Sequence, residues 1–419
     1  MTVASEAPRL IVRTVALRDH HELLGHLPET APLAWLHNGD GLVGWGEAAR
    51  LDLPAENEPN GQRFDTAARW MSELAAAADV EDAVGLPGTG PVAFGGFTFD
   101  PRSPGSTLVV PRVVVGSRAG RVWLTTICDH PGSHPDALLS SVTSTRYIGP
   151  LTWSDGSLSA QGWGGAVAAA VRRIRAAELH KVVLARDIHA EAGGTIDVRT
   201  LLSRLARAYP NCYTFCVDGL VGATPELLLR RAGGDVTSLV LAGTRPRGST
   251  SEEDERIAGD LLASAKETEE HRYAVESLRT ALTPLTSSVR LPDHPELLRL
   301  SNVQHLASPA SATLREGVST FDVIAAMHPT AAVGGTPARV AMDVIRELEG
   351  MDRGRYAGPV GWLDTRGDGE WGIALRCAHV EGSRARLFAG CGIVAGSDPE
   401  AEIAEADSKF RAMRSALAD

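Results

Sequence analysis

Four glutamates on two well-separated segments have the spacing that most directly suggests chemistry. Glu267 and Glu270, in Lys-Glu-Thr-Glu-Glu-His, and Glu402 and Glu405, in Glu-Ile-Ala-Glu-Ala-Asp-Ser-Lys, are each spaced i, i+3, so each pair projects from one side of its helix. Brought together, two such faces form a carboxylate cup. A hard divalent cation such as Mg2+ suits a cup of this kind, because it takes oxygen ligands, keeps some waters and often completes its shell with a carboxylate or phosphate of the ligand. The competing reading is two solvated helix faces, with Glu405 and Lys409 as an ordinary i, i+4 ion pair. In the last segment Ile403, Phe410, Met413 and Leu417 make the apolar stripe, and Glu402, Glu405 and Lys409 sit beside it, at the rim of a core.

Two further residues open apolar strands. Lys181 begins Lys-Val-Val-Leu-Ala-Arg, where it either snorkels to solvent or, desolvated, has a lowered pKa and serves as a base. Glu226 begins Glu-Leu-Leu-Leu; if shielded, its pKa rises as a general acid requires. Together in one cleft they make a proton-transfer couple. Phe-Ala-Gly390-Cys-Gly392-Ile reads as a Gly-x-Gly entering a loop after a strand, either a simple turn or a place where backbone N–H groups approach an anion. It lacks the third glycine of a dinucleotide fingerprint. Leu-Ala-Gly243-Thr244-Arg245-Pro-Arg247-Gly is a second strand-end loop, whose arginines are anion ligands or solvated cations. His328, in Met-His-Pro-Thr before a Gly-Gly loop, is a ligand donor or a turn histidine. Gly-x-Ser-x-Gly, Walker and His-Glu-x-x-His motifs are absent, which removes the main support for those hydrolase, NTPase and protease chemistries.

These residues need a mixed framework. The first 130 residues read as β-rich, with hairpins around Asn38-Gly39-Asp40-Gly41 and Ser117-Arg118-Ala119-Gly120 and a helix over Thr66 to Ala78. The second hairpin takes Val109 to Val115 as one strand. His130 to Gly165 reads as a long connection or lid. Beyond it the patterning predicts helices over Ala166 to Leu179, Leu201 to Ala208, Glu252 to Leu282, Phe321 to Met327, Val340 to Glu349 and Glu400 to Leu417. Strands are predicted at Lys181 to Arg186, Tyr213 to Val217, Leu227 to Arg231, Val236 to Leu241, Val360 to Leu363, Trp371 to Val380 and Ala385 to Phe388. Without a regular βαβ alternation or an internal repeat, the class is α+β.

Composition narrows the function further. The 419 residues are 43% hydrophobic and 22% charged, a globular balance that excludes disordered, collagenous and membrane-bundle chains. A net charge of −11 argues against nucleic acid, so cations that meet an anionic ligand must be placed locally. Five cysteines without a C-x-x-C pair point to a reducing cytoplasm rather than a disulfide framework. No apolar run approaches the roughly 18 residues of a spanning helix, and Met1 to Arg9 lacks the features of a signal peptide.

In order along the chain, the motif segments resemble the chorismate-utilising enzymes, the superfamily of isochorismate synthases, salicylate synthases, anthranilate synthase large chains and aminodeoxychorismate synthases. The resemblance covers about residues 160–419. It rests on the Lys181, Glu226, Gly243 and Glu270 segments above, His328-Pro-Thr-Ala-Ala-Val-Gly-Gly, Tyr356-Ala-Gly-Pro-Val-Gly-Trp, Gly-Glu-Trp-Gly-Ile-Ala-Leu-Arg376-Cys-Ala, Leu-Phe-Ala-Gly390-Cys-Gly-Ile-Val and the Glu402 to Lys409 segment. The lysine at 181 points to the water-adding branch, and the Tyr356, Gly-Glu-Trp and His-Pro-Thr segments look most like isochorismate synthases.

The resemblance implies one large α+β domain over residues 1–419, with two packed sheets and outer helices. Residues 1–160 would be its divergent β-rich part and 160–419 its motif-bearing part. It implies Mg2+-dependent conversion of chorismate to isochorismate, for menaquinone or siderophore synthesis. Lys181 would take a proton from the water attacking C2, and Glu226 would protonate the departing 4-hydroxyl. Glu270 and Glu405 would hold the metal, with Glu267 and Glu402 nearby through water. Arg376, Lys409 and the Gly390 backbone match positions that hold the enolpyruvyl carboxylate, and Gly243, Thr244 and Ala332 match contacts near the ring. His328, Tyr356 and Gly392 complete the expected substrate-binding set. Salicylate synthase, which eliminates pyruvate after the same lysine step, and a non-catalytic chorismate-binding protein are the alternatives. No nucleic acid, membrane or obligate protein partner is expected. The sequence departs from the usual pattern at Ala406, where threonine is usual, and at Cys391, where alanine is common.

Overall fold

Short apolar runs closed by Gly- and Pro-rich turns carry most of the chain into two large sheets. The structure is a computed structural model that describes residues 9–17, 22–56, 61–128, 144–299 and 303–418; the side chains of Lys266 and Glu270 also lie outside the described set. Among the described residues the first sheet has 13 strands. It runs Leu151–Asp155, Lys181–Ala192, Arg384–Ile393, Cys377–Glu381, Leu220–Thr224, Tyr213–Val217, Leu33–His37, Asp40–Trp45, Val113–Arg118, Arg121–Cys128, Ile11–Leu17 and Asp79–Asp82, with Gly335–Thr336 beside the start of Lys181–Ala192. The second has 10 strands: Thr286–Arg290, Val303–Leu314, Asp235–Pro246, Leu227–Ala232, Gly369–Ile373, Pro359–Asp364, Val92–Gly96, Ser106–Val110 and Ala49–Leu53, with Glu296–Arg299 on Val303–Leu314. Pairing is antiparallel except between Ile11–Leu17 and Asp79–Asp82.

The sheets meet through large aromatic side chains. Trp35 of the first sheet stacks on Tyr213 and donates its indole N–H to Glu370 of the second (2.9 Å), while Phe97 and Phe321 pack on Trp371. Strands from the first 130 residues enter both sheets, beside Tyr213–Val217 in one and Pro359–Asp364 in the other, so the early segment shares the core of the later one.

The described residues form eight α-helices: α1 (Gln62–Ala77), α2 (Ala160–Arg175), α3 (Val198–Ala208), α4 (Ser251–Ala263), α5 (Ala265–Leu282), α6 (Thr320–Met327), α7 (Ala338–Leu348) and α8 (Pro399–Leu417). α5 lies on Asp235–Pro246 of the second sheet and α8 on Arg384–Ile393 of the first.

Several sequence expectations are corrected. The helix predicted over Glu252 to Leu282 is two helices, because Ser264 is extended, ends α4 and caps α5 by accepting from the Glu267 N–H. The strand predicted over Trp371 to Val380 is two strands in different sheets, and Val109 to Val115 is likewise divided at Pro111, which cannot donate to a ladder. Of the connection expected over His130 to Gly165, residues up to 143 lie outside the described set. The remainder contains the strand Leu151–Asp155 and the start of α2, which Ser159 caps.

Candidate active site

Two places where the chain passes from one sheet to the other set the site. Pro225 and Glu226 link Leu220–Thr224 of the first sheet to Leu227–Ala232 of the second. Ala374, Leu375 and Arg376 link Gly369–Ile373 back to Cys377–Glu381. The steps lie side by side: the Ile373 N–H donates to the Glu226 carbonyl (3.1 Å) and the Ala223 N–H to that of Arg376 (3.3 Å). Arg376 takes a φ of 50°, a left-handed turn that a continuous strand does not contain.

A cavity of about 250 Å3 opens at these steps, with Lys181, Glu226, Ala332, Tyr356 and Arg376 in its wall. Burial pushes the Glu226 carboxyl up to about 7, against the opposing pull of the Lys181 charge. Glu226 is therefore an acid that still holds its proton near neutrality. Tyr356 stacks on Phe388 (5.0 Å between centroids), and burial holds its hydroxyl well above the ordinary range, so it stays a neutral donor. Among the described residues no carboxylate pairs with the Arg376 guanidinium, whose pKa burial lowers.

The acidic residues come from helices laid on different sheets. Glu267, in the first turn of α5, and Glu402 and Glu405 of α8 all line the same cavity. Glu270 belongs to α5, and its side chain lies outside the described residues. Glu267 is buried and pairs with Arg245 (3.2 Å). Its carboxylate lies over Gly243, where φ is +79° and a Cβ would stand 3.2 Å from Oε2. Glu405 pairs with Lys409 (2.7 Å), whose ammonium also donates to the Gly390 carbonyl (2.7 Å). The i, i+4 pair is thus real, and it forms in the cavity wall. Burial raises the Glu405 pKa, but the Lys409 charge and hydrogen bond, with Cys391 and Arg376, outweigh it and hold the group below its ordinary value. Cys391, Glu402 and Glu405 can each place a ligand atom within 4.8 Å of the others. Burial pushes the Cys391 thiol up to about 12, so the donors available there are carboxylate oxygens rather than a thiolate.

Gly390 and Gly392 lie inside the strand Arg384–Ile393, opposite Ala185 and Val183, and not in a loop as expected. Their role follows from the register. Ala185 and Val183 direct their N–H groups to the far edge of their own strand, to Glu349 and the Gly334 carbonyl. The opposed glycines are therefore non-hydrogen-bonded partners whose amide groups face the other edge, as the Lys409 bond to Gly390 shows. Among the described residues no strand covers that edge beyond the Ala378 and Leu387 pairing, and both glycines line the cavity.

His328 is not brought to the cavity. Its Nε2–H donates to the Phe99 carbonyl (3.1 Å), and burial with the nearby Arg63 charge drops its pKa to about 3, so it is a neutral core histidine. Arg247 turns away as well, binding Asp254 at the start of α4 (2.8 Å), whereas Arg245 lines the cavity. Thr244 also lines it, with its hydroxyl 2.9 Å from Nδ1 of His305. His305 escaped the sequence reading because its strand alternates without any motif. It is buried in the cavity wall, and burial with Arg376 and Lys409 nearby lowers its pKa to about 4.

Comparison with known proteins identifies the family. Residues 35–418 match the family described as chorismate binding enzyme. The chain is 35% identical over 403 residues to isochorismate synthase MenF of Bacillus subtilis, covering 90% of this chain and 85% of the relative. It is 37% identical over 421 residues to the salicylate biosynthesis isochorismate synthase of Pseudomonas aeruginosa, covering 93% and 85%. The structure superposes on that of MenF, the menaquinone-specific isochorismate synthase from Escherichia coli, with a TM-score of 0.81 at 26% identity, covering 99% of this chain and 96% of that one.

Proposed function

The chain belongs to the chorismate-binding enzymes, and from that premise we propose that it converts chorismate to isochorismate. The observation that carries this reading is the placement of Lys181 and Glu226 in one cavity, with Glu226 raised to about 7. The reaction adds water at ring carbon C2 and loses hydroxyl from C4 as the double bonds shift, so it needs a base on the entering water and a protonated acid on the leaving oxygen. Lys181 takes the proton from water; Glu226 delivers its proton to the departing hydroxyl, which leaves as water. Arg376, Lys409 and the amide edge of Gly390 and Gly392 meet the enolpyruvyl carboxylate. Gly243, Thr244 and Ala332 hold the ring, with the Tyr356 hydroxyl behind Gly390.

The carboxylate oxygens of Glu402 and Glu405 lie close enough to share one Mg2+, which they would hold with Glu267 lining the same cavity and Glu270 following it on α5. Bound there, Mg2+ supplies positive charge that anchors the ring carboxylate. The test is incubation of the purified protein with chorismate and Mg2+ and chromatography of the products. Isochorismate alone supports the proposal; salicylate with pyruvate, or binding without turnover, refutes it. No helix among the described residues is long and apolar enough to cross a membrane.

A further inference from the structure

The strand that begins with Lys181 has an incomplete outer edge. Gly335–Thr336 covers Lys181 and Val182, and Leu151–Asp155 covers Ile188 to Ala192, which among the described residues leaves the edge between them without a neighbouring strand. Buried backbone groups on such an edge need other partners, and side chains supply three of them. The Val183 carbonyl accepts from Arg353 Nη2 (2.8 Å), the Ala185 N–H donates to Glu349 Oε1 (2.7 Å) and the Ala185 carbonyl accepts from the Trp163 indole (2.9 Å).

Arg353 and Glu349 are themselves a closed pair, with side chains only 2% and 1% exposed. Arg353 donates from Nε to Glu349 Oε2 (2.9 Å) and from Nη2 to Oε1 (2.5 Å), and its guanidinium lies 4.1 Å from the centroid of the Phe99 ring. Its remaining nitrogen, Nη1, donates to the Val333 carbonyl (2.9 Å), beside Ala332 in the cavity wall. One rigid fork therefore joins the lysine strand, two residues from Lys181, to the adjoining Ala332–Val333 wall, beside the backbone bond from the Val183 N–H to the Gly334 carbonyl (2.8 Å).

We propose that Arg353, held by Glu349, is a positioning residue for the reaction: it fixes the distance between Lys181 and the Ala332–Val333 wall. The inference rests on Lys181 being the base. A displacement of about 1 Å in a reacting group costs on the order of 100-fold in rate, so a loosened fork lowers turnover more than binding.

The test pairs two substitutions in the full-length protein. Arg353→Lys keeps the charge against Glu349, but a single ammonium cannot span Glu349, Val183 and Val333 together. We expect kcat to fall roughly 10- to 100-fold with KM for chorismate within about threefold of wild type, together with a lower melting temperature because buried carbonyls lose their donor. Glu349→Gln keeps an acceptor for Ala185 and leaves the two carbonyl bonds of Arg353 in place, so it should melt earlier yet retain most of its kcat. Should Arg353→Lys fail to fold, the double variant Arg353→Met/Glu349→Leu, which removes the buried charges together, takes its place in the comparison with the same expected kcat loss. A near-normal kcat in whichever fork-lacking variant folds, or a loss in Glu349→Gln as large as in that variant, overturns the inference. Wild-type protein that forms no isochorismate overturns the underlying function instead, so the two failures are distinct.

Discussion

Glu226→Gln tests the acid assignment through stability as well as rate. In the folded protein the Glu226 carboxyl sits at about 7, against an ordinary 4.5. A folded pKa above the unfolded one favours the protonated form, so the contribution to stability is full below pH 4.5 and is lost as pH rises through 7. The shift is about 2.5 pH units, worth about 3 kcal/mol between the two limits, of which about 2–3 kcal/mol falls between pH 5 and pH 8. Glutamine has nothing to ionise. Glu226→Gln should therefore become more stable relative to wild type as pH rises from 5 to 8, and at about 2.1 cal/mol/K of unfolding entropy per residue the melting-temperature gap should widen by roughly 3 °C. Differential scanning fluorimetry of both proteins in matched buffers measures it. The same variant should lose about 100-fold or more in kcat, the usual contribution of a positioned acid. In the wild type the alkaline limb of kcat/KM should fall with a midpoint near 7, since the free enzyme must carry the Glu226 proton. A melting-temperature gap that stays constant from pH 5 to 8, or a variant retaining a tenth of wild-type turnover, refutes the reasoning.

Other expectations follow from the same geometry. Lys181→Ala should abolish isochorismate formation by at least about 100-fold while calorimetry still detects chorismate binding; normal turnover removes the lysine from the mechanism. Glu405→Gln should raise the Mg2+ concentration for half-activation by about tenfold or more, equivalent to roughly 1.4 kcal/mol, and an unchanged metal titration contradicts its placement. Gly243→Ala should destabilise by more than about 1 kcal/mol in urea unfolding, because φ there is +79° and the new methyl stands 3.2 Å from the Glu267 carboxylate. Phe410→Ala, which empties a fully buried site beneath α8 and removes the ring under Arg186, should cost about 3–5 kcal/mol in the same assay.

Spacing and residue type made part of this site visible in the sequence. The i, i+3 glutamates announced one face of α8, and an apolar run opened by a charged residue marked both Lys181 and Glu226. What the sequence did not reveal depends on contacts made across the sheets. Trp371 to Val380 is mostly apolar, broken only by Arg376 and His379, and nothing local shows that it leaves the second sheet at Ala374 and joins the first at Cys377. That exchange is what places Arg376 in the cavity. Gly390-Cys-Gly392 looks like a turn because two glycines favour turns; only the register against Val183 and Ala185 shows a strand edge directed at the cavity. His328 shows the reverse: its motif is prominent, but its ring points away from the cavity and donates from Nε2 to the Phe99 carbonyl.

The charges of the cavity explain why an acidic chain suits an anionic ligand. Glu267 is paired with Arg245 and Glu405 with Lys409, so two of the acidic groups already have cations and the ligand-free cavity is close to balanced. A dicarboxylate entering alone brings two negative charges to a wall that also holds Glu402. The same dicarboxylate entering with a divalent cation brings none: carboxylates of the wall would hold the metal, leaving Arg245 and Lys409 free to join Arg376 in meeting the ligand. Affinity for chorismate should therefore depend steeply on Mg2+ and only weakly on ionic strength. The check is calorimetric titration of chorismate with and without Mg2+ at about 50 and 500 mM salt, a range over which the Debye length shrinks roughly threefold. Equal affinity with and without the metal contradicts this arrangement.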